Sequence, residues 1–523
     1  MNCLNWAFIV AAVSEKKSVS ASASKKSAKS RSGESSGDGA GAWQFRRPER
    51  QIWLAALLMV GLGYFSVLGS RYADSGVFPD FHAWTMVGVW ALSLLLLHGI
   101  LLMSRSRVDP VVTGLTMTLC GLGMLAQYRM QVYEGVFSSG GWKSPGALAY
   151  PVGFVGLLAT HQIFRGGRYQ VLRRPWILWL MVCLGVVGFV LVTGRRFRGA
   201  VMASGNMTPT EILKLLVPMA VAGFLSSRQK INPTGKTAKG KSKSRKSRKA
   251  VSSKSNAEIF AWGGFLIGLV LIFGGLVYQK DLGMVLILMT AVGFQIFAGT
   301  GSWWVLPVMA GGMFGGITVI QLVFPHALRR FDVWLNPFND PTGAGWQILQ
   351  SFSGMYAGGL WGQGWGQGDP ERIPIAKSDF IYSVIGEEMG FFGCLLVIVA
   401  FGLLIYRTYR IAENSESDFG RLLGSGLVSV MAVQVIINIA GVVKVIPMTG
   451  VPLIFVSHGG ASLVTTLAIS GLIMGLADSI CCGKHSNPAA SAKSKPSSPS
   501  KGKSKSGPKT RSPVRKTTKK RNQ

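Results

Sequence analysis

Residues 329–347 read RRFDVWLNPFNDPTGAGWQ, residues 358–368 read GGLWGQGWGQG and residues 373–390 read IPIAKSDFIYSVIGEEMG. Carboxylates, arginines and glycines are gathered here between segments apolar enough to require a membrane. Polar chemistry held beside hydrocarbon points to a membrane-embedded site that acts on something lipid-linked or transported.

Outward from this stretch, apolar runs of the length needed to cross a hydrocarbon core of ~30 Å recur along the chain. Twelve lie near residues 51–70, 82–103, 110–127, 146–164, 175–193, 209–226, 258–277, 281–299, 303–324, 381–406, 423–446 and 453–476. Lipid offers no hydrogen-bond partner to a bare backbone, so each is expected to be a helix. The expected fold is an all-α polytopic membrane protein of about 12 spans, with its large polar loop at 325–380 between helices 9 and 10.

Composition agrees, since 48% of the 523 residues are hydrophobic and only 15% charged. The formal charge of +33 resembles that of a nucleic-acid binder, but its placement argues against nucleic acid as partner. Residues 228–254 carry 11 Lys/Arg and residues 484–521 carry 13, with no acid in either, so these tracts hold 24 of the 33 charges. Both are Ser/Lys-rich and too polar to offset chain entropy by burial, as are residues 1–50, and disorder is expected in all three. The apolar run 4–13 has no basic stretch before it and is not read as a signal peptide.

Lys and Arg are retained on the cytoplasmic side, and an even number of spans puts both termini together. With both termini inside, the basic connections 105–109, 165–174, 228–254 and 407–421 are cytoplasmic, and 194–208 and 325–380 lie outside. The cluster GRRFR at 194–198 then breaks the charge rule, which suits either an anionic headgroup or pyrophosphate or an interfacial anchor. Cys120, Cys183 and Cys394 fall within spans and no external pair exists, so no disulfide framework is expected.

Within the outer loop, Asp340 stands beside Pro341, Gly343 and Gly345, residues that permit a tight turn or close approach of a ligand. A carboxylate at the mouth of an apolar groove suits a general base, and a turn cap is the alternative. Arg329 and Arg330 could hold phosphate or anchor the preceding span. Asp379 sits where the tenth span begins and could cap it, with Glu387 and Glu388 two turns further in. Glu211 and Lys214 are three apart on one helical face, the spacing of an ion pair, and Lys214 could also face a lipid phosphate. Asp281 reads as a cap. The run at 358–368 lacks the strand-to-helix context and Lys-Ser/Thr ending of a phosphate loop, and fits an irregular interfacial loop. His458 is a lone histidine placed in the last span, and no cluster has metal-site spacing.

Taken in order, GRRF, TPTEILK, QKDLG, LNPFNDPTGAGWQILQS, GGLWGQGWG, the block 374–390 and INIAGVVKVIPMTGVPLIFVSHGGASL resemble the SEDS family (shape, elongation, division and sporulation), represented by RodA, FtsW and SpoVE. The resemblance covers about residues 110–477 and divides the chain into an arm at 1–50, two additional helices at 51–109, a ten-helix core at 110–480 and a tail at 481–523. The core would include the insert 228–257 and a catalytic loop at 325–380. It implies a peptidoglycan glycosyltransferase that polymerises lipid II into glycan strands at the outer face of the bacterial cytoplasmic membrane, releasing undecaprenyl pyrophosphate. It places the family's loop aspartate at Asp340 and the family Glu and Lys at Glu211 and Lys214. Arg195, Arg196, Phe197, Arg198, Glu211, Lys214, Arg329, Arg330 and Lys377 become substrate-binding candidates, and Asp379, Glu387 and Glu388 structural or coupled ones. It also implies a class B penicillin-binding protein as transpeptidase partner. A divalent cation (Mg2+ or Mn2+) is a candidate to assist at the pyrophosphate, although the sequence shows no dedicated cage for it.

Departures from the family pattern fall at Phe197, where tryptophan is usual, and in TPTE, SHGG, Lys377 and Lys444. The basic tails are expected to meet anionic inner-leaflet lipid at ~1 kcal/mol per Lys or Arg near the surface. Two rival readings fit the same residues. A lipid-precursor transporter would move its substrate in a test that bypasses glycan synthesis, and a non-catalytic scaffold would need its tails but not Asp340.

Overall fold

The computed structural model describes residues 44–76, 85–130, 145–197, 200–202, 208–228, 248–312, 315 and 325–483. Residues 1–43 of the arm, 484–523 of the tail, most of the basic insert and Arg198 lie outside these residues; the end of the arm, expected to be disordered, is instead ordered, with 47–50 opening the first helix and Arg46 and Glu49 buried. The chain is an all-α polytopic membrane protein. Its helices are α1 (Arg47–Ser75), α2 (Thr85–Met103), α3 (Pro110–Arg129), α4 (Pro145–Phe164), α5 (Trp176–Thr193), α6 (Leu213–Arg228), α7 (Arg248–Tyr278) and α8 (Leu282–Thr300). Beyond these come α9 (Pro325–Leu335), α10 (Trp346–Gly358), α11 (Ile381–Glu413), α12 (Asp418–Val442) and α13 (Gly460–Gly483). Two three-residue strands, β1 (Arg195–Phe197) and β2 (Ala200–Met202), form a small antiparallel hairpin after α5.

Among the described residues, 9 helices are long and apolar enough to cross a membrane, and Val87–Met103 and Leu148–Phe164 are shorter apolar helices. These match eleven of the twelve expected spans. The other, 303–324, is described only at 303–312 and 315, with 305–312 helical.

The last span differs from expectation. It was placed at 453–476, whereas α13 begins at Gly460 and residues 451–459 are not helical. Val451, Leu453, Ile454, Phe455 and Val456 are all buried. Their apolarity serves enclosure by protein, and hydropathy does not distinguish that from lipid. The non-helical backbone is satisfied from within: the Ser457 hydroxyl accepts from the Leu453 amide (2.8 Å), and Asn438 and Gln434 donate to the carbonyls of Val451 (2.7 Å) and Pro452 (2.9 Å). His458 therefore precedes the last helix rather than lying within it.

Close helix contacts rest on small residues, as expected where lipid supplies no hydrophobic drive between helices. A Cβ at Gly471 of α13 would lie 2.2 Å from the Leu157 carbonyl of α4, and one at Gly153 of α4 would lie 2.7 Å from Leu467. The first two helices join this core through α3. Tyr64 of α1 stacks on Tyr128 at 4.5 Å, Arg46 donates to the Ser106 carbonyl (2.6 Å), and the Trp90 indole of α2 donates to the Met117 carbonyl (2.9 Å).

The long helix α11 is broken at Gly390, whose φ of 67° and ψ of −166° lie outside the helical region. A Cβ there would sit 2.3 Å from the Gly362 nitrogen. The glycine-rich loop fills the break: its carbonyls at Gly359 and Leu360 accept from the amides of Phe391 (2.9 Å) and Phe392 (3.2 Å). A side chain at Gly390 would push the loop off the helix.

Candidate functional site

Asp340 lies in the turn between α9 and α10, with its side chain exposed. Its Oδ2 accepts from the Ala344 amide (2.8 Å), and its carbonyl accepts from the Gly345 amide (2.9 Å). The nearby glycines make room for the aspartate itself and for the chain before it. A Cβ at Gly343 would lie 2.4 Å from Asp340 Oδ2, and one at Gly345 would lie 2.0 Å from the Pro337 carbonyl. The sequence left open whether these glycines serve a turn or a ligand, and their first service is to shape the turn.

One helix earlier, α9 lays this segment over the connection between α12 and α13. Arg330 Nη1 faces the carbonyls of Met448 (3.4 Å) and Thr449 (3.5 Å), and the Trp334 indole donates to the Lys444 carbonyl (3.0 Å). Beneath that connection lies a group of buried polar side chains. Lys214, 1% exposed, donates to Glu211, and its ammonium is 3.4 Å from the Ser462 hydroxyl. Gln434 donates to the same hydroxyl (3.1 Å). Asp281 caps α8 by accepting from the Met284 amide (3.1 Å), and its surroundings include Glu211, Lys214 and Arg330. The spacing of Glu211 and Lys214 thus gives the expected ion pair, and Asp281 the expected cap.

Asp379 does not cap α11. Phe380 occupies that position without a side-chain cap, and Asp379 Oδ1 instead accepts from the Ser378 hydroxyl (2.8 Å), while its carbonyl accepts from Asn438 (3.0 Å). Asp379 and Phe380 belong to the turn that precedes the helix. Burial pushes its carboxyl above the usual aspartate range, opposed by the Ser378 hydroxyl and the charge of Arg330. A raised folded value means that the charged form is penalised above it and relieved as pH falls toward the unfolded value near ~3.9. Asp379→Asn is therefore expected to raise the melting midpoint at pH 7 to 8, with the gain disappearing on acidification. Melting curves of the two proteins from pH 8 down to about pH 4 check this, and a gain that grows on acidification would contradict it.

Glu387 and Glu388 are buried and hold the glycine-rich loop. Glu388 accepts from Arg129 Nε (3.0 Å) and from the Gly366 amide (2.6 Å), and Glu387 accepts from the Asp369 amide (2.8 Å). Arg129 also donates to the Gly368 carbonyl (2.6 Å). Sequence reasoning missed Arg129. Its one signal was a lone arginine just past the outer end of a span, against the charge bias. Asn438 and Gln434 were missed as well, being amides within an apolar helix.

Of the other candidates, Lys377 has an exposed side chain, and its carbonyl accepts from the His458 amide (2.8 Å) and from Gln127 (3.0 Å). Arg195, Arg196 and Phe197 form strand β1, paired with Met202, Val201 and Ala200. Arg329 lies on α9. Only the backbone is described at these four positions. The structure thus brings Glu211, Lys214, Arg330 and Asp379 around the 448–452 segment, with Asp340 at the end of the α9 connection and Glu387 and Glu388 beneath the glycine-rich loop.

Comparison with known proteins bears on this arrangement. A model of the FtsW, RodA and SpoVE family, described as cell cycle protein, matches residues 111–480. The chain is 32% identical over 337 residues to the probable peptidoglycan glycosyltransferase FtsW of Trichlorobacter lovleyi, covering 62% of this chain and 80% of that protein. It is 30% identical to stage V sporulation protein E of Bacillus subtilis, covering 58% of this chain and 78% of the relative. Against peptidoglycan glycosyltransferase RodA of Mycobacterium tuberculosis identity is 35%, over 39% of this chain and 44% of that protein. A solved structure described under the structural coordination of polymerization and crosslinking by a peptidoglycan synthase complex shares the fold, with a TM-score of 0.53, 23% identity, and coverage of 71% of this chain and 97% of that one. The matched region runs from the first turn of α3 to the last turn of α13, and the chain belongs to the FtsW, RodA and SpoVE family.

Proposed function

We propose that this protein is a peptidoglycan glycosyltransferase that polymerises lipid II at the outer face of the bacterial cytoplasmic membrane, serving cell division or elongation, with both termini in the cytoplasm. The observation that carries the reading is the exposed Asp340, set in a glycine-shaped turn on the same short connection that seats Arg330 over the buried polar group. In this reading Asp340 accepts the proton of the C4 hydroxyl of the acceptor N-acetylglucosamine. The freed oxygen bonds to C1 of the donor N-acetylmuramic acid as the C1–oxygen bond to undecaprenyl pyrophosphate breaks, and the pyrophosphate leaves with the electron pair.

Charge developing on the leaving group needs cations, and Arg195, Arg196, Arg198, Arg329 and Arg330 are the candidates. Lys214 is a weaker one, because its buried ammonium is already paired with Glu211. A divalent cation is a further candidate there. Among the described residues no group of three or more His, Cys, Asp or Glu is placed to hold a metal ion, and one or two carboxylates with the substrate phosphates would be the ligands of such a cation. The family relation and the synthase-complex neighbour support a class B penicillin-binding protein as partner.

Glycan-chain synthesis from purified lipid II, with and without such a transpeptidase, tests the assignment. Chains made by the protein, alone or with the partner, support it; a folded protein that makes none in either case overturns it. Gly345→Ala is expected to lower chain synthesis at least tenfold, because its Cβ would strike the Pro337 backbone carbonyl and displace the Asp340 turn. The misplacement of a reacting group by about 1 Å costs roughly 10²-fold. Wild-type chain synthesis by Gly345→Ala would show that the turn does not set the geometry.

A further inference from the structure

The helix that reaches the glycine-rich loop from the other side is α1, which precedes the family-matched region. The Ser66 hydroxyl donates to the Trp365 carbonyl (2.6 Å), and Ser70, one turn on, donates to the Gly366 carbonyl (2.7 Å). Contact is close: a Cβ at Gly366 would lie 3.0 Å from the Cα of Val67 and from the Cβ of Ser70. A Cβ at Gly63 would lie 3.3 Å from the Trp365 indole. Gly366 is thus held at both ends, its amide by Glu388 of α11 and its carbonyl by Ser70 of α1.

A loop of this composition needs such holding. Gly359, Gly362, Gly364 and Gly366 all have positive φ. Glycine gives up more backbone freedom on ordering than any other residue, so a loop rich in it is costly to fix from one side alone. The amides of Gln363, Gly364 and Gly366 are fixed by α11, and the carbonyls of Trp365 and Gly366 by α1. The loop also continues directly from α10, a helix of 13 residues, about 20 Å of stiff rod, whose other end starts beyond the Asp340 turn.

We propose that α1 is a positioning element of the outer site: through Ser66 and Ser70 it holds the glycine-rich loop against α11, and so sets the placement of α10 and Asp340. The effect on turnover rests on the glycosyltransferase reading; the hold on the loop does not. The helix outside the family core then contributes to the reaction without touching substrate.

The test is the double variant Ser66→Ala/Ser70→Ala, compared with Ser66→Thr/Ser70→Ala, which keeps one hydroxyl at an exposed position. Two quantities are read: hydrogen exchange at the amides of Gly364 and Gly366, and kcat and KM for lipid II polymerisation. The expected result for the double alanine variant is exchange at least tenfold faster at both amides and kcat about tenfold lower. KM and the melting midpoint should stay near wild type, and the threonine variant should recover part of both losses. Wild-type exchange in the double alanine variant overturns the proposal, as does faster exchange with wild-type kcat. If that variant fails to fold, the single variants Ser66→Ala and Ser70→Ala, each removing one of the two α1 hydrogen bonds, are read in the same way. If the wild-type protein makes no glycan, the glycosyltransferase reading fails, and exchange alone decides whether α1 holds the loop.

Discussion

Asp340→Asn is expected to abolish glycan synthesis to within detection, a loss of about 10²–10⁴-fold if the carboxylate acts as general base. Asparagine is the informative substitution because its amide oxygen can still accept from the Ala344 amide, so the turn survives while the base does not. Asp340→Ala would remove both, and a loss there could be assigned to the turn. The measurement is chain formation from purified lipid II, with the melting midpoint of each protein taken alongside. Chain synthesis by Asp340→Asn at the wild-type rate would remove Asp340 from the reaction and return weight to a scaffold or transporter.

The second large effect is on stability and concerns Glu211 and Lys214. Lys214→Met leaves a carboxylate, and Glu211→Gln leaves an ammonium that is only 1% exposed, each without its partner. Breaking a buried pair from one side costs about 3–5 kcal/mol, whereas replacing both charges is often close to neutral. The double variant Glu211→Gln/Lys214→Met is therefore expected to recover most of what either single variant loses. Unfolding midpoints of the four proteins in one detergent give the coupling, and additive losses would show that the two charges do not depend on each other. The double variant also separates roles: glycan synthesis by a folded protein without the Lys214 charge would remove that ammonium from leaving-group stabilisation.

Much of this was legible in the sequence because membrane helices announce themselves by length and apolarity. The ion pair and the Asp281 cap were legible because their partners lie within one helical turn. The last span was misplaced by its own apolarity, since residues 451–456 are enclosed by protein rather than lipid. The role of Asp379 was misread because its place just before a helix suited a cap, whereas its carboxylate accepts from the adjacent Ser378 hydroxyl and its carbonyl from Asn438 of another helix. Arg129 and Glu388 are 259 residues apart, and no periodicity or spacing rule joins positions at such a distance. The same holds for the link between α1 and the glycine-rich loop.

That link has a consequence for synthesis of the protein on the ribosome. Ser66 and its acceptor are separated by 299 residues, so at about 5–20 residues per second α1 is made roughly 15–60 s before the loop that it binds. In that interval its two serines must satisfy their hydroxyls locally, for example on carbonyls of the preceding helical turn. Assembly of this region is thus ordered in time: the first helix is made early, and the glycine-rich loop, arriving late, completes its own hydrogen bonds by docking on a helix already in place.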